Sequence, residues 1–330
     1  MLETKLQKLL LFYSDYERHL NSRMVGCGEI IKRMFISLMI RGNILLEGPP
    51  GLGKTTLVKH FSQFFSLSFS RIQFTPDLMP LDIIGSNILQ QGESGSRHFE
   101  FYKGPLFANI ILGDEINRAT PKTQSAFLEA MEEKRVTFLG QVYPLPDPFM
   151  IIATQNPIEL EGTYPLPEAQ IDRFLMKLFF YYPDFSALKQ IIIRNEQVSA
   201  DAFPEDDPKS NDKLIEIRDL EQEVTVLDDI KNFITRLVVS THPDHSEIPA
   251  VKRYVLYGAS PRAGIALLRA AKWKALLENR INISFDDIKD LAFDILNHRI
   301  ILNFEGESEY IDTRALIQGI IQKLEKKFRA

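Results

Sequence analysis

The chain has 330 residues, of which 45% are hydrophobic and 25% are charged, and its formal net charge is −5. This length predicts two domains, and the composition predicts a sizeable soluble core rather than a disordered chain. The negative net charge argues against constitutive, sequence-independent binding of nucleic acid, which requires a basic face. The one cysteine, Cys27, excludes an intramolecular disulfide and a cysteine-based zinc site, and it fits a reducing cytoplasm. No apolar stretch approaches the roughly 18–20 residues of a membrane span, and the N-terminus does not resemble a signal peptide.

The first half of the chain alternates between helix and strand patterns. Helical periodicity covers 2–20 and 30–40, and another helix is predicted to begin near Gly53. Thr120 and Pro121 predict the N-cap and the first position of a further helix. The predicted strands are 44–46, 69–74, 110–112, 150–153 and 174–180. Because strands alternate with helices, the predicted fold class is α/β, with a doubly wound parallel sheet.

Two further segments are typical of hairpins. The segment 88–102 predicts an inserted hairpin or short element with a polar turn at 92–96. The segment 136–143 predicts a hairpin that turns at Leu139 and Gly140.

The character of the chain changes after Tyr182 and Pro183. The segment 198–212 is rich in Asp, Pro, Ser and Lys and is predicted to be a loop, and the chain beyond it is predicted to be helical. Ser260 and Pro261 predict the start of a helix that runs to about residue 279, and Ser284 with Asp287 resembles a capping box. We therefore expect an α/β domain over 1–185 and a smaller helical domain over 186–330.

A phosphate-binding loop is the most specific motif in the chain. It has the pattern Gly-x-x-x-x-Gly-Lys-Thr between a predicted strand and a predicted helix, which is the context that the motif requires. The predicted nucleotide-binding residues here are Gly48, Pro49, Pro50, Gly51, Leu52, Gly53, Lys54, Thr55 and Thr56. Backbone N–H groups and the helix N-terminus would surround the β-phosphate. Lys54 would reach the β- and γ-phosphates of ATP, and the Thr55 hydroxyl would bind Mg²⁺.

Two carboxylates follow the apolar strand at 110–112. At the carboxyl edge of a parallel sheet such residues face the ligand crevice. Asp114 is predicted to hold Mg²⁺, mainly through its waters, and Glu115 is predicted to polarise the attacking water. A solvated acidic loop is the alternative, and the adjacent phosphate loop argues against it.

Longer strings resemble the MoxR family of AAA+ ATPases. These strings include Asp-Glu-Ile-Asn-Arg-Ala at 114–119 and Gly-Ala-Ser-Pro-Arg at 258–262. The matching segments are 46–55, 114–126, 153–157, 161–170, 172–174, 258–262 and 294–299. The resemblance runs from about residue 21 to about residue 305, so it covers both expected domains.

The resemblance implies an AAA+ core with a C-terminal helical lid and a hairpin insert near 86–103. It also implies assembly into a ring, usually a hexamer, and chaperone-like remodelling of a client protein. Members of the family often act beside a protein with a von Willebrand factor A domain. The sequence does not name the client.

The resemblance also assigns further site residues by position. Asn156 matches sensor 1, Arg173 matches the arginine finger and Arg262 matches sensor 2. The alternatives are an Asn-Pro turn, a surface salt bridge and a solvated helix arginine, respectively. Val25 and Gly26 are expected near the adenine. The chain departs from the family at Cys27, where Gln is common, and we interpret Cys27 as a small buried filler.

Three other functions compete with protein remodelling. A nucleic-acid motor shares the insert, but the acidic balance and the lack of an appended DNA-binding module argue against it. The motor subunit of a metal chelatase shares both the insert and the type of partner. A nucleotide-gated scaffold that barely hydrolyses ATP would not need Lys54, Asp114, Glu115, Asn156 and Arg173 together.

Overall fold

The computed structural model describes residues 2–91, 97–157, 162–197 and 210–329. The strands are β1 (Ile44–Glu47), β2 (Phe69–Gln73), β3 (Gly85–Gln91), β4 (Arg97–Lys103), β5 (Ile110–Asp114), β6 (Arg135–Phe138), β7 (Gln141–Pro144), β8 (Met150–Gln155), β9 (Met176–Phe179), β10 (Val255–Tyr257) and β11 (Ile301–Leu302). The helices are α1 (Leu2–Arg23), α2 (Gly28–Met39), α3 (Lys54–Phe64), α4 (Pro80–Ile84), α5 (Pro121–Glu133), α6 (Glu168–Ile171), α7 (Phe185–Gln197), α8 (Ser210–Arg218), α9 (Leu220–Glu223), α10 (Asp228–Val239), α11 (Pro249–Tyr254), α12 (Pro261–Leu277), α13 (Phe285–Leu296), α14 (Phe304–Ser308) and α15 (Thr313–Arg329).

The predicted parallel sheet is confirmed. Five strands lie in the order β2-β5-β8-β1-β9, and every neighbouring pair is parallel. The central runs at 110–112 and 150–153 are fully buried, as expected for strands covered by helices on both faces. Because all five strands point the same way, their carboxyl ends meet at one edge of the sheet, where Glu47, Asp114 and Gln155 lie.

Both predicted hairpins are present. Strands β3 and β4 form an antiparallel pair, in which Gly85 lies opposite Lys103 and Gln91 lies opposite Arg97. The predicted turn at 92–96 lies outside the described residues. Strands β6 and β7 turn at Leu139 and Gly140, whose φ angles of 48° and 81° suit a tight hairpin turn. The ring of Phe101 on β4 lies 4.9 Å from that of Phe138 and 4.4 Å from that of Tyr143, centroid to centroid, so aromatic packing joins the two hairpins.

Helices dominate after β9, as predicted. The start of α13 has the predicted capping box, in which Asp287 N donates to Ser284 Oγ and Ser284 N donates to Asp287 Oδ2 at 2.8 Å. Trp273 on α12 is fully buried in the core shared by these helices. Among the described residues, no helix is both long and apolar enough to cross a membrane.

One local boundary was predicted wrongly, whereas the predicted N-cap of α5 is confirmed. The expected loop 198–212 ends earlier, because α8 already begins at Ser210, and 198–209 lie outside the described residues. Ser, Asn and Asp are as typical of a first helical turn as of a loop, so composition could not place this boundary. Thr120 does occupy the N-cap of α5, but its side chain makes no capping bond and lies 3.3 Å from the Thr123 hydroxyl.

A buried arginine joins the helical part to the end of the sheet. Arg299 Nε donates to Asp172 Oδ1 at 2.9 Å, and Nη2 donates to the backbone oxygens of Asp172 and Phe174. Ser260 Oγ donates to the same carboxylate at 2.8 Å. Burial opposes ionisation of Asp172, but the bond from Ser260 and the charge of Arg299 outweigh it and keep the pKa of Asp172 below its ordinary value.

The neighbouring His298 is expected to make the fold sensitive to acid. Its Nε2 lies 3.0 Å from the Phe174 oxygen, and its Nδ1 is buried without a hydrogen-bond partner among the described residues. Burial, reinforced by the charge of Arg299, holds the pKa of His298 well below its ordinary value. The unfolded chain therefore binds a proton below about pH 6.5 that the folded chain does not, so stability falls as the pH falls through that value.

We expect this group to cost about 1 kcal/mol of unfolding free energy per pH unit below about pH 6.5. His298→Gln keeps a donor for the Phe174 oxygen but cannot gain a proton. Urea unfolding at about pH 7.5 and pH 5.5 should therefore show a smaller loss for His298→Gln than for the wild type. The exposed His245→Gln is the matched control, and an equal loss in all three proteins would contradict the expectation.

Candidate nucleotide-binding site

The phosphate loop joins β1 to α3 at the carboxyl edge of the sheet. Gly51 and Gly53 have φ angles of 79° and 81°, which favour glycine. At Gly48 a Cβ atom would lie 2.5 Å from the backbone oxygen of Phe180, so no larger residue fits there. The loop therefore keeps its shape through its glycines, and it leads directly into the N-terminus of α3, where backbone N–H groups can bind an anion.

Lys54 lies across the mouth of this loop. Its Nζ donates to the backbone oxygen of Gly48 at 2.7 Å. Burial lowers the pKa of Lys54, and the charges of Asp114 and Glu115 oppose that shift. The lysine is thus a partly desolvated cation beside two carboxylates, which is an arrangement suited to a ligand that brings its own negative charge.

Thr154 on β8 holds both acidic residues in place. Its hydroxyl donates to Asp114 Oδ1 at 2.6 Å and accepts from the backbone N–H of Glu115 at 2.9 Å. Glu115 has a left-handed backbone with a φ of 58°, which turns the chain sharply after β5. The two carboxylates therefore point into the crevice from a fixed strand end rather than from a solvated loop.

Basic and amide side chains contact the same carboxylates. Arg71 Nη2 and Nε donate to Asp114 Oδ2 at 2.6 Å and 3.2 Å. Glu115 Oε2 accepts from Arg118 Nη1 at 2.9 Å and from Gln73 Nε2 at 3.1 Å. These contacts fix the direction of each carboxylate and offset the repulsion between them.

One cleft of about 320 Å³ brings most of the predicted residues together. Among the described residues, it is lined by Pro50, Gly51, Gly53, Lys54, Thr55, Thr56, Arg71, Gln73, Asp114, Glu115 and Asn156. Gly48, Pro49 and Leu52 belong to the loop and shape it rather than line the cleft. Asn156 directly follows β8 and is buried, with 6% of its surface exposed.

Arg71, Gln73 and Thr154 were not predicted as site residues. Arg71 and Gln73 are alternate residues at the end of β2, and β2 pairs with β5 so that Gln73 lies opposite Asp114. The sequence did contain a signal for these two residues, because both are polar and lie on one face at the carboxyl end of a predicted strand. The sequence did not show that β2 and β5 are neighbours, so it did not bring these side chains to Asp114.

Val25 and Gly26 follow Met24, which contacts the phosphate loop. A Cβ atom on Gly53 would lie 3.2 Å from Met24 Cε, and one on Gly26 would lie 3.8 Å from Ala187 Cβ on α7. The segment therefore runs between the loop and α7. Cys27 is buried, and burial raises the pKa of its thiol, which disfavours a reactive thiolate and fits a small filler.

Arg173 and Arg262 are not among the residues that line the cleft. Arg173 Nη2 pairs with Glu132 Oε2 at 2.9 Å, and Arg262 Nη2 pairs with Glu132 Oε1 at 3.1 Å. Arg262 also reaches Asp172, with Nη1 at 3.2 Å from Oδ2. Within one chain, therefore, the two arginines lie beside each other and not beside Lys54.

Comparison with known proteins finds two family models that match the chain. Residues 43–176 match the model of the ATPase family associated with various cellular activities (AAA), and residues 249–320 match the AAA lid domain. The chain is 39% identical over 300 residues to the chaperone MoxR1 of Mycobacterium tuberculosis (strain ATCC 25618 / H37Rv), which covers 91% of this chain and 78% of that protein. It is 42% identical over 303 residues to the uncharacterized protein YeaC of Bacillus subtilis (strain 168), which covers 92% and 91% of the two chains.

A solved structure agrees with the architecture. The crystal structure of a candidate ATPase from Cytophaga hutchinsonii ATCC 33406, at 2.00 Å resolution, matches with a TM-score of 0.88 and 44% sequence identity. The match covers 97% of this chain and 96% of that one. The predicted AAA+ fold with a helical lid is therefore confirmed, and the chain belongs to the MoxR family of AAA+ ATPases.

Proposed function

We propose that this protein hydrolyses ATP with Mg²⁺ and uses the energy to remodel or mature a client protein. The observation that carries the proposal is the single cleft that gathers Lys54, Thr55, Asp114, Glu115 and Asn156 at the carboxyl edge of the sheet. A cation, a hydroxyl, two carboxylates and an amide in one crevice are the groups that phosphoryl transfer to water requires.

Each group has a distinct role in this proposal. The backbone N–H groups of the loop and Lys54 bind the phosphates. The Asn156 amide forms a hydrogen bond with the γ-phosphate or with the attacking water. Glu115 orients that water and accepts a proton from it. Hydrogen bonds from Arg118 and Gln73 hold the Glu115 carboxylate in place. Hard oxygen donors suit Mg²⁺, so the Thr55 hydroxyl would bind the ion directly and Asp114 mainly through its waters. When bound, Mg²⁺ would offset the charge that develops on the transferred phosphate.

Assembly into a ring, expected to be hexameric, completes the proposal. Arg173 lies away from its own cleft, held by Glu132, which leaves a neighbouring subunit's nucleotide as its target. The name of the M. tuberculosis relative, chaperone MoxR1, supports protein remodelling as the use of the energy. A protein with a von Willebrand factor A domain is the proposed partner, and the client remains to be identified.

Lys54→Ala tests the nucleotide site. Losing the charge-assisted contacts of a partly buried lysine costs about 2 kcal/mol or more, so ATP affinity should fall about 30-fold or more. The measurement is equilibrium binding of a fluorescent ATP analogue with Mg²⁺. The exposed Lys59→Ala, on the same helix, is the matched control and should bind like the wild type. Unchanged affinity in Lys54→Ala would reject this cleft as the ATP site, and turnover that rises on adding DNA would favour a nucleic-acid motor.

A further inference from the structure

Glu132 holds two arginines that come from different parts of the chain. It lies near the end of α5, and each of its carboxylate oxygens pairs with a separate guanidinium group. The distances are 2.9 Å from Oε2 to Arg173 Nη2 and 3.1 Å from Oε1 to Arg262 Nη2. Arg173 follows α6 in the AAA core, whereas Arg262 is in the first turn of α12 in the lid.

The backbone around both arginines is anchored separately from Glu132. Asp172, which precedes Arg173, is fixed by Arg299 and by Ser260, the N-cap of α12. Loss of Glu132 would therefore leave the end of α6 and the start of α12 in place. It would free the Arg173 guanidinium, while Arg262 would keep its contact with Asp172, Nη1 to Oδ2 at 3.2 Å. Arg173 depends most on this contact, because its Nε is buried without a partner among the described residues.

A shared carboxylate has a chemical consequence. Two guanidinium groups repel each other at short range, and the negative charge of the Glu132 carboxylate offsets that repulsion. Each guanidinium has five N–H donors. Glu132 takes one nitrogen of each, and Asp172 takes Nη1 of Arg262, which leaves N–H donors on both groups for a second anion. Two guanidinium groups held beside each other on one carboxylate suit a polyphosphate, which offers several oxygens at close spacing.

We propose that Glu132 is a positioning residue that holds Arg173 and Arg262 as a pair, so that both act on one nucleotide, that of the neighbouring subunit. This inference rests on the proposed ATP hydrolysis. Glu132 itself does not touch the nucleotide. It fixes the position and direction of the two guanidinium groups before the neighbour's γ-phosphate binds. It also couples Arg262 of the lid to Arg173 of the core.

Glu132→Ala tests the role against a closely matched control. Glu133, the next residue on α5, pairs with Arg135 at 2.9 Å and with neither of the two arginines. Misplacing a group that stabilises the transition state costs on the order of 10- to 100-fold, so kcat for ATP should fall by about that factor in Glu132→Ala. KM and the affinity for ATP should stay within about twofold of wild type, because the variant's own cleft is intact. Glu133→Ala should match the wild type in all three quantities.

Two further measurements separate positioning from a merely structural role. In an Arg173→Ala/Arg262→Ala background, adding Glu132→Ala should cause no further loss of kcat, because the residue acts only through those arginines. Mixing Glu132→Ala with Lys54→Ala subunits should restore part of the turnover, since each supplies what the other lacks. Glu132→Gln, which keeps the size of the side chain but offers one acceptor oxygen in place of two, serves if Glu132→Ala does not fold, and it should show the same pattern.

Failure of the proposed ATP hydrolysis and failure of the proposed role of Glu132 would give different results. If the wild type does not hydrolyse ATP, the proposed function fails first. If the wild type is active and Glu132→Ala has the kcat of Glu133→Ala, only the role of Glu132 is overturned. A further loss in the double-arginine background, or mixed rings without recovery despite co-assembly, would likewise overturn it.

Discussion

Arg173→Ala should bind ATP nearly as well as the wild type but hydrolyse it about 10³–10⁵-fold more slowly. The reason is geometric, because Arg173 lies outside the cleft of its own chain and is held at Glu132. A guanidinium delivered from a neighbour stabilises charge only in the transition state, so its loss lowers kcat and leaves binding unchanged. Arg173→Lys should recover little of the turnover, because a point charge cannot replace the planar fork. Arg135→Ala is the matched control, since Arg135 is an exposed arginine that pairs with Glu133.

The test that decides whether Arg173 acts across an interface is a mixture of two inactive variants. Lys54→Ala subunits carry an intact Arg173, and Arg173→Ala subunits carry an intact phosphate loop. Mixed assemblies should regain part of the turnover, and wild-type turnover should rise more than linearly with protein concentration. Co-assembled mixtures that stay inactive, together with a wild-type turnover per subunit that is flat down to monomer concentrations, would place the action of Arg173 within its own chain.

Glu115→Gln should separate ATP binding from ATP hydrolysis. The amide keeps the size of the side chain and an acceptor for Arg118, but it removes the base, so turnover should fall about 10²–10⁴-fold. ATP affinity and any ATP-dependent assembly should persist. Steady-state phosphate release and nucleotide binding measured on the same preparation give both quantities.

Glu129→Gln, an exposed position on α5, controls for the charge change. If Glu115→Gln releases phosphate at the wild-type rate, another residue orients the water. Asn156 and Gln73, which line the same cleft, are then the candidates.

The parts of the fold that depend on local pattern were predictable from the sequence. The apolar runs at 110–112 and 150–153 are typical of strands covered on both faces, and Ser284 with Asp287 marked the start of α13 within one turn. The phosphate loop was equally predictable, because its glycines and lysine are consecutive in the chain.

The contacts that were missed join residues far apart in the sequence. Arg71 meets Asp114, 43 positions away, only because β2 and β5 are neighbours in the sheet. Glu132 meets Arg262 across 130 positions, through the docking of the lid on the core. Pairwise contacts of this kind depend on strand order and on the orientation of the two parts, and neither quantity has a local signature.

Helix α5 gives the proposed ring a direction. Just before its first residue lie Glu115 and Arg118, beside the subunit's own nucleotide cleft, and near its last residue lies Glu132 with the pair of arginines. Thirteen residues of helix span about 20 Å as a stiff rod, so a shift at one end is carried to the other. In a closed head-to-tail assembly every copy of this rod has the same sense, from the local site toward the next one. Any effect that α5 carries from one nucleotide site to the next would then have the same rotational sense at every interface of the proposed ring.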